Sequence, residues 1–256
     1  MSTYFVHQDS IVRKIWSKAD TILFIFAGAS AEFALNRSVD WLYYTGRLPA
    51  DPLGRLFSTV DYSRQIIFSE DTAALQSIDR ITAIHKSVEA SRGEQIPDEA
   101  YLEVLYMLID YSIRSYQLLE QKLTEMEKAE VFEVFYSVGK RMNLVGLPGN
   151  YPDWKIKRHK QLEDNLYRSD FTPDLYRQYQ KHLGFVRYLL LKQAQVLVVP
   201  QQVNQLLLLG KTPWLQPVLF VYKLFRLFKL HNLLKNAILP AAYINQVRAM
   251  DTAPNY

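Results

Sequence analysis

The residues of this chain with most capacity for chemistry are five histidines, at positions 7, 85, 159, 182 and 231, in a sequence that has no cysteine. Without cysteine there is no disulfide, thiolate-ligated heme, iron–sulfur cluster or cysteine zinc site, so a metal would have to be held by His, carboxylate or Tyr. No glutamate stands three residues before any histidine, which removes the Glu-x-x-His pairs of helical di-iron bundles. A His-Glu-x-x-His helix and a glycine-rich phosphate loop are also missing, and Gly28-Ala29-Ser30-Ala31-Glu32 lacks the second glycine of a nucleophile elbow. Four histidines have plain explanations: His159 stands in the charged run 155–160 and His182 follows Lys181 near Gly184, settings typical of solvated helix surface, while His7 is near a terminus and His231 near a helix end. Only His85 falls on a strongly apolar helical face, with Ala74, Ile78, Ile81 and Val88. A neutral imidazole there needs a partner. A hydrogen-bonded core histidine is the plainer reading and a metal ligand the functional one.

The elements around His85 are punctuated clearly. Ser69 to Asp71 opens its helix and Gly93 closes it. The preceding helix starts after Asp51-Pro52, where Asp caps and Pro suits the first turn, and it buries Leu53, Leu56, Phe57, Val60, Ile67 and Phe68. A third helix follows Ile96-Pro97 with Leu102, Leu105, Tyr106, Ile109, Ile113 and Tyr116 inward. Thr124 and Glu127 form a capping box for a fourth, carrying Phe132, Phe135 and Tyr136. Gly146 to Asn150 is the clearest loop, and polar helices led by Asp153 and by Thr172-Pro173 come after it. Sustained alternation with tight glycine turns is absent, so no sheet is expected. The expectation is an all-α, single multi-helix globular domain over residues 1–256, with no linker long enough to divide it.

Composition narrows the functional classes. Of the 256 residues 49% are hydrophobic and 13% aromatic, enough for a substantial core and a lined cavity. The net charge of +4 comes from dispersed basic residues, which does not imply nucleic acid. Thr21 to Leu35 is too short for a membrane span and contains Glu32, so it reads as a buried core helix. Val218 to Leu234 is interrupted by Lys223, Arg226 and Lys229 and reads as amphipathic, allowing at most peripheral membrane contact. No leader pattern opens the sequence, which makes a cytoplasmic location the expectation.

The run Asp51-Pro52-Leu53-Gly54-Arg55-Leu56-Phe57-Ser58-Thr59, followed by His85-Lys86-Ser87-Val88, resembles the signature of the latex-clearing (rubber oxygenase) and mycophenolate-pathway oxygenase family. Further likenesses run from Ile22-Leu23-Phe24-Ile25-Phe26-Ala27-Gly28 through Tyr116 and Gly146-Leu147-Pro148 to Ile238-Leu239-Pro240. The resemblance implies a heme pocket in the all-α domain, holding heme b with His85 as the iron ligand. Arg55 becomes a distal or propionate-side cation and Thr59 a hydroxyl on the dioxygen side. Its substrate would be an apolar small molecule, unsaturated or isoprenoid in character. An independent count agrees. Arg55 lies about fifteen residues before a turn near Ser69-Glu70 and His85 about fifteen after it, so at ~1.5 Å per residue an antiparallel hairpin brings them level. Packed helices stand only ~8–10 Å apart, so the hairpin must splay or the heme must lie across one side.

Three positions depart from the family pattern. Latex-clearing members have a lysine where this chain has Ser58, a poor heme ligand that leaves the distal position open or water-filled. Leu35-Asn36-Arg37 replaces a small-His-Pro triplet, and Tyr106 replaces a histidine. Tyr106 reads first as core packing and second as a phenol directed at the heme site. Asp40 and Asp110 are possible catalytic carboxylates, though a cap or surface charge is the plainer role of each. Two other functions compete with a heme oxygenase. One is heme carriage or sensing without turnover, suggested by the lost histidines. The other is a membrane-surface or partner-binding helical module using Lys211, Lys223, Arg226, Lys229 and Lys235.

Overall fold

The computed structural model of the protein describes residues 3–44, 46, 50–210 and 216–217, and the side chains of Leu42, Pro52, Leu53, Arg55 and Leu56 lie outside that description. The amphipathic helix expected over 218–234, the C-terminal lysines and arginine, His231 and Ile238-Leu239-Pro240 therefore fall outside the described residues. Within them the chain is all-α, with ten helices and no strand, and the only bridges are Tyr4 to Glu70 and Asn36 to Leu166. We number the helices α1 (Ile11–Trp16), α2 (Ala19–Phe33), α3 (Val39–Tyr44), α4 (Pro52–Phe68), α5 (Asp71–Arg92), α6 (Asp98–Leu119), α7 (Glu125–Arg141), α8 (Tyr151–Asp164), α9 (Phe171–Val198) and α10 (Gln201–Leu207).

Boundaries follow the local chemistry. Asp51 Oδ1 accepts from Gly54 N at 2.8 Å to cap α4, and Gly93 ends α5 in the left-handed region at φ 76°. Both halves of the Thr124/Glu127 capping box form. For α8 the capping side chain is Asn150, which accepts from the backbone of Asp153, the residue expected to lead that helix.

The centre of the fold is the α2–α6 pair, with α9 packed on α2 and α7 on α6. Gly28 makes this pairing possible, because a Cβ there would coincide with ring carbons of Tyr111. Trp16 Nε1 donates to Ser112 Oγ at 3.1 Å and ties α1 to the same surface. All six apolar positions expected to face inward from α6 are buried. No described helix is long and apolar enough to cross a membrane.

Glu32 is wholly buried near the C-terminal end of α2, and this burial is achieved by pairing. Arg158 of α8 reaches both its carboxylate oxygens, at 2.5 and 2.6 Å, and also holds Asp110 Oδ2 from Nε and Nη2 at 3.0 and 2.9 Å. Tyr111 donates its hydroxyl to Glu32 at 2.8 Å, and Gln161 Oε1 accepts from Arg158 Nη1 at 2.5 Å. The expectation of a solvated 155–160 run is thus corrected at Arg158, which is only 4% exposed. Asp110 is neither cap nor surface charge. Burial alone would raise its pKa, but Arg158 and Arg114 outweigh that and hold it below the ordinary value. Burial likewise works against the Arg158 charge, and Glu32 and Asp110 more than reverse it.

Candidate functional site

The elements that carry the candidate residues are α4 and α5, packed as a helical hairpin through Ser69 and Glu70. Its closed end is well filled, with Ile66, Ile67, Phe68, Ala74 and Ile78 buried. Burial then fades along α5. Ile81, His85 and Val88 are half-buried and Ile84 is 38% exposed, so the expected core-facing stripe continues as an apolar strip at the molecular surface. His85 is therefore not a core histidine. The cause is visible in neighbouring elements, since α6 departs from α5 after the 93–97 turn and packs chiefly on α2 and α7.

The open end of the hairpin is anchored by α3. Arg92 lies over the Trp41 ring, its guanidinium carbon 3.9 Å from the ring centroid, and donates from Nη2 to Asp40 Oδ2 at 3.0 Å, while Tyr44 donates its hydroxyl to the Ser91 carbonyl at 2.8 Å. Asp40 is thereby engaged in an ion pair holding the end of α5, a structural employment for one of the two candidate carboxylates. Cation–π stacking and the ion pair together keep α3 against the last turn of the histidine helix.

His85 meets Tyr101 of α6 edge-on, with ring centroids 5.1 Å apart at 74°. Tyr101 in turn donates its hydroxyl to Glu89 Oε1 at 3.1 Å, and the same oxygen accepts from the backbone of Ile96 at 3.0 Å. Burial and then the Glu89 charge push the Tyr101 phenol well above its ordinary pKa, so it remains a hydroxyl donor. Tyr101 is a neighbour of the candidate histidine that sequence reasoning missed. Its signal was position: it lies just beyond the short turn joining the histidine helix to the next.

Thr59 and Ser58 are half-buried on α4, and the Ser58 hydroxyl donates to the Gly54 carbonyl at 2.8 Å. Arg55 lies in the same helix, one turn before Thr59, and its side chain is outside the described residues. Tyr106 is buried, edge-on to Trp154 with centroids 6.3 Å apart, and lines a cleft of about 520 Å³ between α6, the 145–146 loop and α8. The structure thus brings Tyr101 against His85 and sets Tyr106 against α8. Burial pushes the Tyr106 phenol up to about 12. In the same cleft Glu103 has its carboxyl raised by burial, opposed by hydrogen bonds from Asn165 and Asn36. Asn36 is one of the departures from the family triplet, and here it serves that buried carboxyl.

Of the other described histidines, His7 and His159 are exposed beside Asp9 and Glu163, as their plain readings expect, whereas His182 is half-buried rather than solvated. Among the described residues no three His, Cys, Asp or Glu side chains are grouped to hold a metal ion. A protein-only metal cage is therefore not formed by them, whereas a single imidazole on an apolar strip is the donor set that suits a metal carrying its own equatorial ligands.

Residues 17–226, more than half of the chain, match the family described as ER-bound oxygenase mpaB/B'/Rubber oxygenase, catalytic domain. The chain belongs to that family. Among curated proteins and solved structures nothing matches it. The matched span of this mpaB/rubber oxygenase family includes α2 to α10, and so takes in the α4–α5 hairpin, its α3 anchor and the central α2–α6–α8 ion network. Membership makes the chain an oxygenase-family catalytic domain and an oxidoreductase by class.

Proposed function

We propose that this chain is a single-domain, cytoplasmic, heme b-dependent oxygenase acting with dioxygen on an apolar, unsaturated or isoprenoid small molecule. The observation carrying the reading is His85, set in the middle of the half-exposed apolar strip Ile81, Ile84 and Val88 beside Tyr101. A flat macrocycle needs an apolar surface with one nitrogen donor, and these residues fit that requirement. Heme iron, when bound, supplies the dioxygen chemistry. His85 would hold the iron, while Tyr101, fixed by Glu89, limits rotation of the imidazole. The Thr59 hydroxyl is the proton donor assigned to the dioxygen side. Arg55, always charged, is assigned to a propionate or to negative charge developing near Thr59. Ser58, already donating within its helix, is left with a lone pair too weak to act as a heme ligand. Tyr106 is assigned to packing.

Hemin titration of the full chain, read by absorbance, tests the assignment. Wild type should show a saturable Soret shift. His85→Ala should lose it while its helical circular dichroism is unchanged, and equal binding by the variant would overturn the reading. Arg55→Ala separates the two roles of the cation: a propionate clamp predicts weaker heme retention, by roughly 1.5–3 kcal/mol for each charge-assisted bond lost. Thr59→Val should leave heme content alone and lower turnover. A second reading, heme carriage without turnover, draws on Asn36, which stands in place of a family histidine and is committed to Glu103. Oxygen uptake with an apolar substrate separates the two.

A further inference from the structure

Helix α9 breaks at Gly184, where φ is 72° and ψ 168°, a backbone conformation that favours glycine. Immediately after the break, Phe185 and Val186 are 66% and 68% exposed, and Leu189, one turn on, is exposed too. These three share a helical face by their spacing. Large apolar side chains gathered at one corner mark a contact site more often than scattered single ones. Lys181 stands one turn before the break, and Lys192 follows Leu189 by three residues with its ammonium 5.6 Å from the Tyr188 ring centroid.

The charge of the chain is segregated along its sequence. Residues 1–174 contain 20 Lys and Arg against 25 Asp and Glu, whereas 175–256 contain 10 against 1, and that one is Asp251. From Leu175 to Met250 there is no carboxylate side chain at all. The described basic residues of that part are Arg177, which pairs with Asp174, and Lys181, Arg187 and Lys192, around and after the kink. An apolar corner in a segment of a single sign complements a surface that is apolar beneath and anionic on top. It disfavours a second copy of the same corner, because two basic surfaces repel.

We infer that the corner after the α9 kink docks this protein reversibly on an anionic lipid bilayer, with Phe185 and Val186 entering the acyl boundary and Lys181 and Lys192 meeting the headgroups. The inference stands apart from the heme reading, since its test needs neither cofactor nor turnover.

Co-sedimentation of the full chain with phosphatidylcholine vesicles, with and without phosphatidylserine, tests it. Binding should require phosphatidylserine and weaken with added salt. Phe185→Ser with Val186→Ser should reduce the partition coefficient at least about tenfold, from the apolar area that no longer leaves water. Lys181→Gln and Lys192→Gln should each reduce it about fivefold. Phe185, Val186 and Lys181 are exposed and Lys192 is half-buried with its ammonium beside Tyr188, so circular dichroism should be unchanged and melting should move little. Absence of vesicle binding, equal binding to neutral vesicles, or wild-type binding by the double serine variant would each overturn the proposal. A wild-type dimer that the serine pair converts to monomer would assign the corner to self-association instead.

Discussion

Replacing Arg158 with methionine should be the most damaging single change in the helical core. The guanidinium makes five hydrogen bonds to Glu32, Asp110 and Gln161, at 2.5 to 3.0 Å, while almost wholly buried. Methionine retains much of the volume, so the loss is electrostatic rather than a cavity. Asp110 keeps Arg114, at 2.7 Å and partly exposed, but Glu32 is left fully buried with only the Tyr111 hydroxyl. Removing one partner of a buried pair costs about 3–5 kcal/mol, because a charge is stranded without water. At roughly 2–4 °C per kcal/mol for a chain of this size, the melting temperature should fall by roughly 6–20 °C. Urea unfolding followed at the helical circular dichroism band measures the free energy directly. The decisive comparison is Arg158→Met, Glu32→Met and Tyr111→Phe combined, which removes the stranded charge and its donor together. That variant should recover at least about 2 kcal/mol of the loss, since apolar replacement of an entire buried ion pair is often neutral or favourable. A cost below about 1 kcal/mol for the single change, or a triple variant no more stable than the single, would refute the argument.

Acidification should act on the same network with a definite sign. Asp110 is held below its unfolded pKa, so its contribution is complete above about pH 4 and is lost as pH falls through the lowered folded value; Asp110→Asn should flatten that acid limb of a stability–pH profile. Glu103 has the opposite sign: with its carboxyl raised by burial, its protonation favours the folded state, so Glu103→Gln should steepen the acid limb. Gly28→Ala should destabilise by at least about 1–3 kcal/mol, because the added methyl meets a Tyr111 ring that Glu32 holds in place, and an unchanged thermal melt would contradict the close approach.

Most of the helical framework was legible in the sequence because its signals are local. Asp51-Pro52, the Thr124/Glu127 box and Gly93 act within one turn of chain, and the 3.6-residue stripe of α6 states its own buried face. The resemblance located the histidine helix and the Arg55/Thr59 helix, and short connection through Ser69 and Glu70 made them neighbours. What local signals could not decide was which charged residues would leave water. Arg158 sits in a run of lysines and a histidine, yet it is four residues from both Trp154 and Leu162, on the one stripe of α8 that faces α2 and α6. Its burial requires Glu32 and Asp110, which are distant in sequence and meet it only when three helices pack. The same holds in reverse for His85. Its helix is apolar on that face, but burial depends on what stands opposite, and α6 turns away to pair with α2. Only the tertiary arrangement could make a surface-coloured arginine central and leave an apolar histidine strip partly open.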